Sequence, residues 1–261
     1  MHAVRRLART VATLAAACAA VALLPAPAHA AYSVSLASGR RYSISVEQRG
    51  TLGTTSPNVV LLHGMYNSSA TLAAQTGFDH VGTSMGWTIV YGESPTKTWN
   101  AGGCCSTAMS NGVDDVRYLL DVVVSLRRRG HYGPVYLAGF SNGGMLALRA
   151  GCEHPEVFRR VSSVAGTLVA PCSNGLAHVR HIHGTADTVV PYNGGYSTYC
   201  AVTFPAAYAE TAGTTTLDYK LVSVSGLKHA WPPSATTYLR DFFATGTSSR
   251  AVVAGGYVVY G

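Results

Sequence analysis

Val135-Tyr-Leu-Ala-Gly-Phe-Ser-Asn-Gly-Gly144 is the segment of this chain that carries the most structural information. Its apolar first half ends at Gly139-Phe-Ser-Asn-Gly143, and a helix-like run begins at Met145. This order predicts a strand, a sharp turn and a helix, with Ser141 at the tip of the turn. Glycines on both sides of the serine leave no Cβ where the strand and the helix must pass closely. We therefore expect a strained serine backbone and a hydroxyl that projects outwards at the mouth of the helix.

Composition and the first thirty residues indicate a secreted globular protein. The 261 residues are 48% hydrophobic and 12% charged, which predicts one domain with a sizeable core. Three arginines precede an apolar segment at residues 11–24, which ends in Pro25-Ala-Pro-Ala-His-Ala30. This is typical of a signal peptide and is too short for a confident membrane span, although lipid attachment at Cys18 is a weaker alternative. We predict a signal peptide at residues 1–30 and a single extracellular catalytic domain at residues 31–261, without membrane attachment after cleavage.

The charge balance does not favour a nucleic-acid partner. Without the leader, 16 basic residues stand against 12 acidic ones, so the formal net charge falls from +7 to +4. The dense basic run that remains, Arg127-Arg-Arg129, closes a predicted helix, where positive charge complements the helix dipole. We therefore expect no binding to nucleic acid.

Cysteine usage agrees with an oxidising compartment. Five cysteines follow the leader: Cys104, Cys105, Cys152, Cys172 and Cys200. Their number predicts two disulfides and one free thiol, with a connectivity that the spacing leaves open. The chain has no Cys-x-x-Cys pair and no histidine cluster at zinc spacing, so we expect neither a metal site nor a cofactor.

Strand-like and helix-like segments alternate along the chain. Residues 32–48 alternate apolar and polar residues and predict an antiparallel hairpin at a sheet edge. Asn58–Leu62 suits a strand buried on both faces of a parallel sheet. The alternation predicts an α/β domain with a mostly parallel sheet, flanked by helices and joined by right-handed crossovers. Further strands are expected at 87–91, 161–166, 179–183 and 218–224, and helices at 71–85, 112–129 and 234–244. Residues 245–261 are expected either to form an edge strand or to stay loosely attached.

A serine nucleophile needs a base, and the base needs a carboxylate that fixes its tautomer. Asp187 and His229 each come directly after a predicted strand, in the order serine, acid, histidine. Each alone has a simpler explanation, as a turn cap or a surface loop residue. Their order at three successive strand exits favours a catalytic triad with Ser141. The rival acids, Asp114 and Asp115, precede the serine and begin a helix, where acidic residues are favoured electrostatically.

A developing oxyanion needs two backbone donors. We expect Asn142 to supply one, as the residue after the nucleophile, and the turn after His63-Gly64 to supply the other through Met65. His63 itself is interpreted as structural.

Six motifs occur in a characteristic order: Leu61-Leu-His-Gly64, Trp99-Asn-Ala-Gly-Gly-Cys-Cys105, Val113-Asp-Asp-Val116, Gly139-Phe-Ser-Asn-Gly-Gly-Met145, His183-Gly-Thr-Ala-Asp187 with Val190-Pro-Tyr192, and His229-Ala-Trp-Pro232. Together they resemble the esterase family of extracellular polyhydroxyalkanoate depolymerases and feruloyl or acetylxylan esterases, within the α/β-hydrolase superfamily. The resemblance covers about residues 33–240. It implies the α/β-hydrolase fold, with Ser141 as nucleophile, Asp187 as acid and His229 as base. It also implies that Trp99 lies near the substrate groove, and we place Trp231 with it as a substrate-binding residue.

The chain departs from this family in two places. The segment Gly226-Leu-Lys-His229 stands where the family commonly has a run of glycines. Cys172 and Cys200 are less typical than the Cys-Cys pair, so the family's disulfide pattern transfers only in part. From the resemblance we expect Cys104 or Cys105 to pair with Cys152, and Cys172 to pair with Cys200.

The resemblance also limits the substrate. Residues 166–179 are too few to insert a cap domain, and an open site suits an ester held in a polymer. Family members that attack crystalline polyhydroxybutyrate usually carry a linker and a binding domain, which we do not find. We predict an extracellular depolymerase of medium-chain-length polyhydroxyalkanoates that acts through an acyl-enzyme, with a feruloyl or acetylxylan esterase as the alternative. We expect the protein to be a monomer. Its expected binding partner is a polymeric ester substrate.

Two other classes fit less well. A secreted binding protein could keep the fold without the chemistry, but the order of the three triad residues argues against it. A peptidase on this scaffold usually brings an additional propeller or cap, for which the sequence offers no candidate.

Overall fold

A computed structural model of the protein describes residues 31–48, 53–207, 216–245 and 257–260. Its strands are β1 (Tyr32–Ser35), β2 (Arg41–Val46), β3 (Asn58–Leu62), β4 (Thr88–Gly92), β5 (Val135–Phe140), β6 (Arg160–Val164), β7 (Leu176–Gly184), β8 (Gly195–Ser197), β9 (Val202–Phe204), β10 (Thr216–Val224) and β11 (Tyr257–Tyr260). Its helices are α1 (Ser69–Thr76), α2 (Phe78–Met85), α3 (Ser106–Ser110), α4 (Asp115–Arg128), α5 (Asn142–Glu153) and α6 (Ala235–Thr245). The predicted signal peptide, residues 1–30, lies outside the described residues.

Nine strands form one sheet in the order β1-β2-β4-β3-β5-β6-β7-β10-β11. The strands from β4 to β10 in this order pair in parallel, while β1, β2 and β11 pair antiparallel at the two edges. This confirms the predicted mostly parallel sheet and the antiparallel hairpin at its edge. The tail, for which the sequence left two options, supplies the edge strand β11.

Helices cover both faces of the sheet. Successive residues of a strand point to opposite faces, so the contacts of alternate residues show which helices lie on each side. In β3, Val60 and Leu62 pack with residues of α4 and α5, whereas Val59 and Leu61 pack with residues of α1, α2 and α6. Every residue of β3 is buried, as a strand covered on both faces requires. None of the helices in the described ranges is both long enough and apolar enough to cross a membrane.

The helices differ from the prediction at two places. The helix expected over residues 71–85 is divided into α1 and α2 at Gly77, whose φ of 63° places it in the left-handed region. Its N–H donates to the carbonyl of Ala73 at 3.0 Å and closes α1. The short helix α3 and the β8–β9 hairpin carry too few residues to show a periodicity, and the sequence did not indicate them.

The structure corrects the expected disulfide pairing. Cys152 pairs with Cys172, and Cys104 with its neighbour Cys105. Cys200 forms no disulfide, so the predicted count of two bridges and one thiol is confirmed. Cys152 lies near the end of α5 and Cys172 on the segment after β6, with their Cα atoms 5.5 Å apart, which is within bridging range.

We predict that the Cys152–Cys172 bridge stabilises the fold by closing a loop between residues 20 positions apart. Replacing both cysteines with serine is expected to lower the free energy of unfolding by about 3 kcal/mol, because the unfolded chain gains entropy. The control, Cys200→Ser, is expected to change it by less than about 1 kcal/mol. Denaturant unfolding measures both, and peptide mapping that links Cys152 to any other cysteine would contradict the pairing.

Candidate active site

The turn between β5 and α5 holds Ser141 in a conformation that non-glycine residues rarely adopt. Its φ of 54° and ψ of −123° lie outside the strand and helix regions. A Cβ at Gly139 would lie 2.2 Å from the backbone of Gly143, and one at Gly143 would lie 2.3 Å from the carbonyl oxygen of Leu62. The two glycines of the motif are therefore required by close backbone contacts. The Ser141 N–H donates to the carbonyl of Val164 at 2.8 Å, which holds the turn against β6.

The structure brings the predicted serine, histidine and aspartate together. His229 Nε2 lies 2.9 Å from Ser141 Oγ, and His229 Nδ1 lies 2.7 Å from Asp187 Oδ2. Asp187 Oδ1 accepts hydrogen bonds from the amides of Val189 and Val190, each at 2.9 Å. The three residues follow β5, β7 and β10, so they meet at the carboxyl edge of the parallel strands.

Asp187 is buried yet held in its ionised form. Burial alone would raise the pKa of Asp187, but hydrogen bonds from His183, His229 and the Val190 amide outweigh burial and hold the pKa well below its usual range. The carboxylate therefore accepts the Nδ1–H of His229 at neutral pH. That assigns the lone pair of the imidazole to Nε2, which faces the serine.

Two backbone segments with available amides adjoin Ser141. Asn142 begins α5, and the first amides of a helix have no partner within the helix. On the other side, a Cβ at Gly64 would lie 3.5 Å from the Ser141 Cβ, so the turn after β3 touches the nucleophile. In that turn the Tyr66 N–H already donates to the carbonyl of Lys97 at 2.7 Å. Met65, whose amide the sequence suggests as the second donor, lies between Gly64 and Tyr66.

Trp99 does not line a substrate groove, which corrects the expectation from the resemblance. Its side chain is fully buried, and its Nε1–H donates to the carbonyl of His63 at 2.8 Å. The Asn142 side chain bonds to the Trp99 backbone twice: Oδ1 accepts from the N–H at 2.6 Å, and Nδ2 donates to the carbonyl at 2.9 Å. Trp99 therefore joins the start of α5 to the turn after β3, through the side chain of Asn142 and the carbonyl of His63. The sequence pattern gave no signal of this contact.

Trp231 likewise points inwards. Only 7% of it is exposed, its Nε1–H donates to Thr236 Oγ1 at 3.1 Å, and its ring meets that of Phe78 edge-on. The indole packs between α2 and α6. The expectation that it binds substrate is therefore wrong, because its surface is already used by the core.

The rival acids and His63 have structural roles, as the sequence indicated. Asp114 accepts from the N–H of Arg117 and caps α4, and buried Asp115 forms an ion pair with Arg40 at 2.8 Å. His63 is buried, which lowers its pKa, and its Nδ1 lies 2.8 Å from the Gly64 carbonyl.

Among the described residues, one group of cysteines has its sulfur atoms close enough together to hold a metal ion. Cys104, Cys105 and Cys200 lie with their sulfurs within 4.8 Å of one another. Two of these sulfurs are joined in a disulfide, whereas metals bind thiolates. The cluster lies beside Met145 of α5 and belongs to a small apolar core.

A strained serine at the end of a central parallel strand, with its histidine and acid on later strand exits, defines the α/β hydrolases. Comparisons with known proteins agree. The family described as Phospholipase/Carboxylesterase matches residues 116–245. The solved structure of Est1E from Butyrivibrio proteoclasticus superposes with a TM-score of 0.56 at 13% identity, covering 82% of this chain and 97% of that one. The chain thus has the α/β-hydrolase fold, and its residues 116–245 are similar to the Phospholipase/Carboxylesterase family.

Two curated relatives share part of the sequence. A protein named as an esterase, NocK of Nocardia uniformis subsp. tsuyamanensis, is 33% identical over 144 residues, which are 53% of this chain and 42% of NocK. Feruloyl esterase B of Piromyces equi is 31% identical over 110 residues, which are 39% of this chain and 20% of that enzyme. The matched region thus spans less than half the length of either relative.

The double contact between Asn142 and the Trp99 backbone leads to a stability prediction. Asn142→Ala leaves a buried N–H without its acceptor, so the free energy of unfolding is expected to fall by about 2–3 kcal/mol. Asn174→Ala removes an exposed amide that donates once, to the Glu153 carbonyl at 3.2 Å, and is expected to cost less than about 0.5 kcal/mol. Denaturant unfolding of both variants checks this, and equal losses would contradict a special role for Asn142.

Proposed function

We propose that the protein is a secreted serine hydrolase of carboxylic esters. The observation that carries this proposal is the hydrogen-bonded chain from Ser141 Oγ through His229 to Asp187, with distances of 2.9 and 2.7 Å. These are the contacts that nucleophilic catalysis by a serine requires. The similarity of residues 116–245 to the Phospholipase/Carboxylesterase family supports carboxylic esters as the substrate class. The two disulfides and the predicted signal peptide support an extracellular location.

The geometry suits acyl transfer in two steps. His229 Nε2 takes the proton of Ser141 as Oγ attacks the ester carbonyl, and Asp187 stabilises the resulting imidazolium. The amides of Asn142 and Met65 are assigned to the oxyanion of the tetrahedral intermediate. His229 returns the proton to the leaving alcohol, which leaves an acyl-serine. Water, deprotonated by the same histidine, then releases the acid and restores the serine.

An ester group on a plant cell-wall polysaccharide is the substrate class that we favour. A relative named feruloyl esterase B supports it, and so does an exposed aromatic side chain next to the assigned oxyanion donor. Tyr66, which follows Met65, is 60% exposed, and its hydroxyl lies 3.0 Å from Ser106 Oγ. An aromatic face at this place suits contact with an aromatic acyl group.

A depolymerase of medium-chain-length polyhydroxyalkanoates is the second candidate. It rests on the six sequence motifs and on access to the site. Only residues 165–175 connect β6 to β7, and in this described segment they form neither helix nor strand. A polymer chain could therefore approach the carboxyl edge of the sheet at this point.

Loss of the Ser141 hydroxyl is expected to abolish turnover. Ser141→Ala should lower kcat/KM for a soluble p-nitrophenyl ester by roughly 10⁴-fold or more, because the nucleophile is absent. A serine-reactive phosphonate should label the parent protein at Ser141 and leave the variant unlabelled, as intact-mass analysis would show. Full esterase activity in the alanine variant would refute the assignment. Cleavage of aminoacyl amides as fast as the matching esters would identify a peptidase instead.

Product release from polymers separates the two substrate candidates. Feruloylated xylan, acetylated xylan and an emulsion of poly(3-hydroxyoctanoate) are incubated in parallel with the parent protein, with Ser141→Ala as the control. We expect ferulate or acetate to be released by the parent protein alone. Release of 3-hydroxy acids without ferulate or acetate would instead assign the protein to the polyester depolymerases.

A further inference from the structure

We propose that His183 is a positioning residue of the triad, and that His181 and Tyr219 extend it into a buried relay of hydrogen bonds behind Asp187. The relay comprises Tyr219, His181 and His183. This inference rests on the proposed function, because it concerns how the acid of that site is held. None of the three side chains lies between His229 and Ser141, so the relay acts through Asp187.

The contacts are continuous from Asp187 inwards. His183 Nε2 lies 2.8 Å from the carbonyl oxygen of Val190 and 3.3 Å from Asp187 Oδ2. His183 Nδ1 lies 2.9 Å from His181 Nε2, and His181 Nδ1 lies 2.9 Å from the Tyr219 hydroxyl. Both histidines are at least 99% buried. Solvent therefore cannot replace the contact between the two histidines without a change in the fold, whereas Tyr219 is half-buried.

The partners define where the protons lie. His183 Nε2 faces a carbonyl and a carboxylate, both acceptors, so it carries the hydrogen. In the neutral ring, His183 Nδ1 is then an acceptor, and His181 Nε2 must donate to it. By the same argument His181 Nδ1 accepts, and the Tyr219 hydroxyl donates to it at 2.9 Å rather than to the carbonyl of Ala207 at 3.4 Å. The relay is thus directional, with every donor aimed towards Asp187.

His183 holds Asp187 in two ways. Its Nε2–H contacts the carboxylate oxygen that also accepts from His229. It also bonds to the carbonyl of Val190, whose own N–H donates to Asp187 Oδ1 at 2.9 Å. The His183 imidazole therefore contacts the carboxylate of Asp187 directly. It also holds the backbone at Val190, which in turn supports the same carboxylate. The plane of the carboxylate depends on these two contacts of His183. The direction of its hydrogen bond with His229 depends on them as well.

The strand geometry explains why the relay forms. His181 and His183 are two residues apart on β7, so their side chains point to the same face of the sheet. Tyr219 of the neighbouring strand β10 is in register with Val179, which places it on that face as well. A buried strand normally carries apolar residues at such positions. Two buried histidines on one face of β7, in contact with the acid of the triad, therefore fit a role in the active site better than a role in core packing.

A purely structural role gives different expectations. If the histidines only satisfied one another, their replacement would lower stability and leave the turnover of the remaining folded protein unchanged. A positioning role predicts a lower kcat with an unchanged KM, because His183 contacts the acid of the triad and not the substrate. A displaced catalytic group of this kind is expected to cost roughly 10- to 100-fold in kcat.

The test compares His183→Gln with His183→Phe. Glutamine can place an amide N–H near the position of Nε2, whereas phenylalanine fills the space without a donor. We expect His183→Phe to lose roughly 10- to 100-fold in kcat on a p-nitrophenyl ester, and His183→Gln to recover most of it, with KM unchanged in both. The proton shared by His229 and Asp187 is read independently as a downfield ¹H NMR signal. It should shift or broaden in the phenylalanine variant and persist in the glutamine variant.

Tyr219→Phe provides a second variant at the far end of the relay, in case His183→Phe fails to fold. Its matched control is Tyr192→Phe, which keeps the ring that packs edge-on against His183 and removes a hydroxyl that lies 2.7 Å from Ser223 Oγ. We expect Tyr219→Phe to lower kcat by several-fold, because His181 is then no longer held in one tautomer. Tyr192→Phe should keep the kcat of the parent protein.

The outcomes separate this inference from the proposed function. Unchanged kcat and an unchanged downfield signal in both His183→Phe and Tyr219→Phe would overturn the relay, whatever their melting temperatures. If the parent protein is neither labelled by the phosphonate nor active on esters, the proposed function fails. The downfield signal of the variants then still decides whether His183 positions Asp187.

Discussion

Backbone segments pass very close to one another where β5 turns into α5. Backbone atoms of Gly143 approach Gly139, and the carbonyls of Leu62 and His63 approach Gly143, so closely that a Cβ at either glycine would overlap them. This approach holds Ser141 at a φ of 54°, a strained value for a residue with a side chain. Everything that surrounds the serine is placed relative to this turn. The start of α5, the end of β3 and the exit of β6 all contact it directly.

Strain of this kind persists only if neighbouring structure opposes its release. The Asn142 side chain supplies part of that opposition, since its two hydrogen bonds join the first residue of α5 to the backbone at Trp99. The Trp99 indole in turn bonds to the carbonyl of His63, on the turn after β3. One buried tryptophan thus joins both segments that offer amides to the serine. A residue expected at the substrate surface instead fixes the distance between two assigned oxyanion donors.

How much could be predicted from the sequence depends on the range of the interaction. The bounds of β3 and the order of the triad residues at strand exits follow from local apolar patterns, and both agree with the structure. The pairing of Cys172 and the burial of Trp99 depend on which distant segments become neighbours, and a periodic pattern holds no such information. His183 shows an intermediate case. On a strand, its spacing of two residues from His181 places both side chains on one face, but only the structure shows that this face leads to Asp187.

The site combines a partly exposed base with a buried acid. The side chain of His229 is 16% exposed at the carboxyl edge of the sheet. Asp187 is buried, and the donors around it hold its pKa well below its usual range. A buried carboxylate is costly unless hydrogen bonds replace its hydration. Two amides, His229 and the His183 ring supply those bonds here. Because each donor also fixes a direction, the bonds that keep Asp187 ionised are the same bonds that orient the imidazole towards the serine.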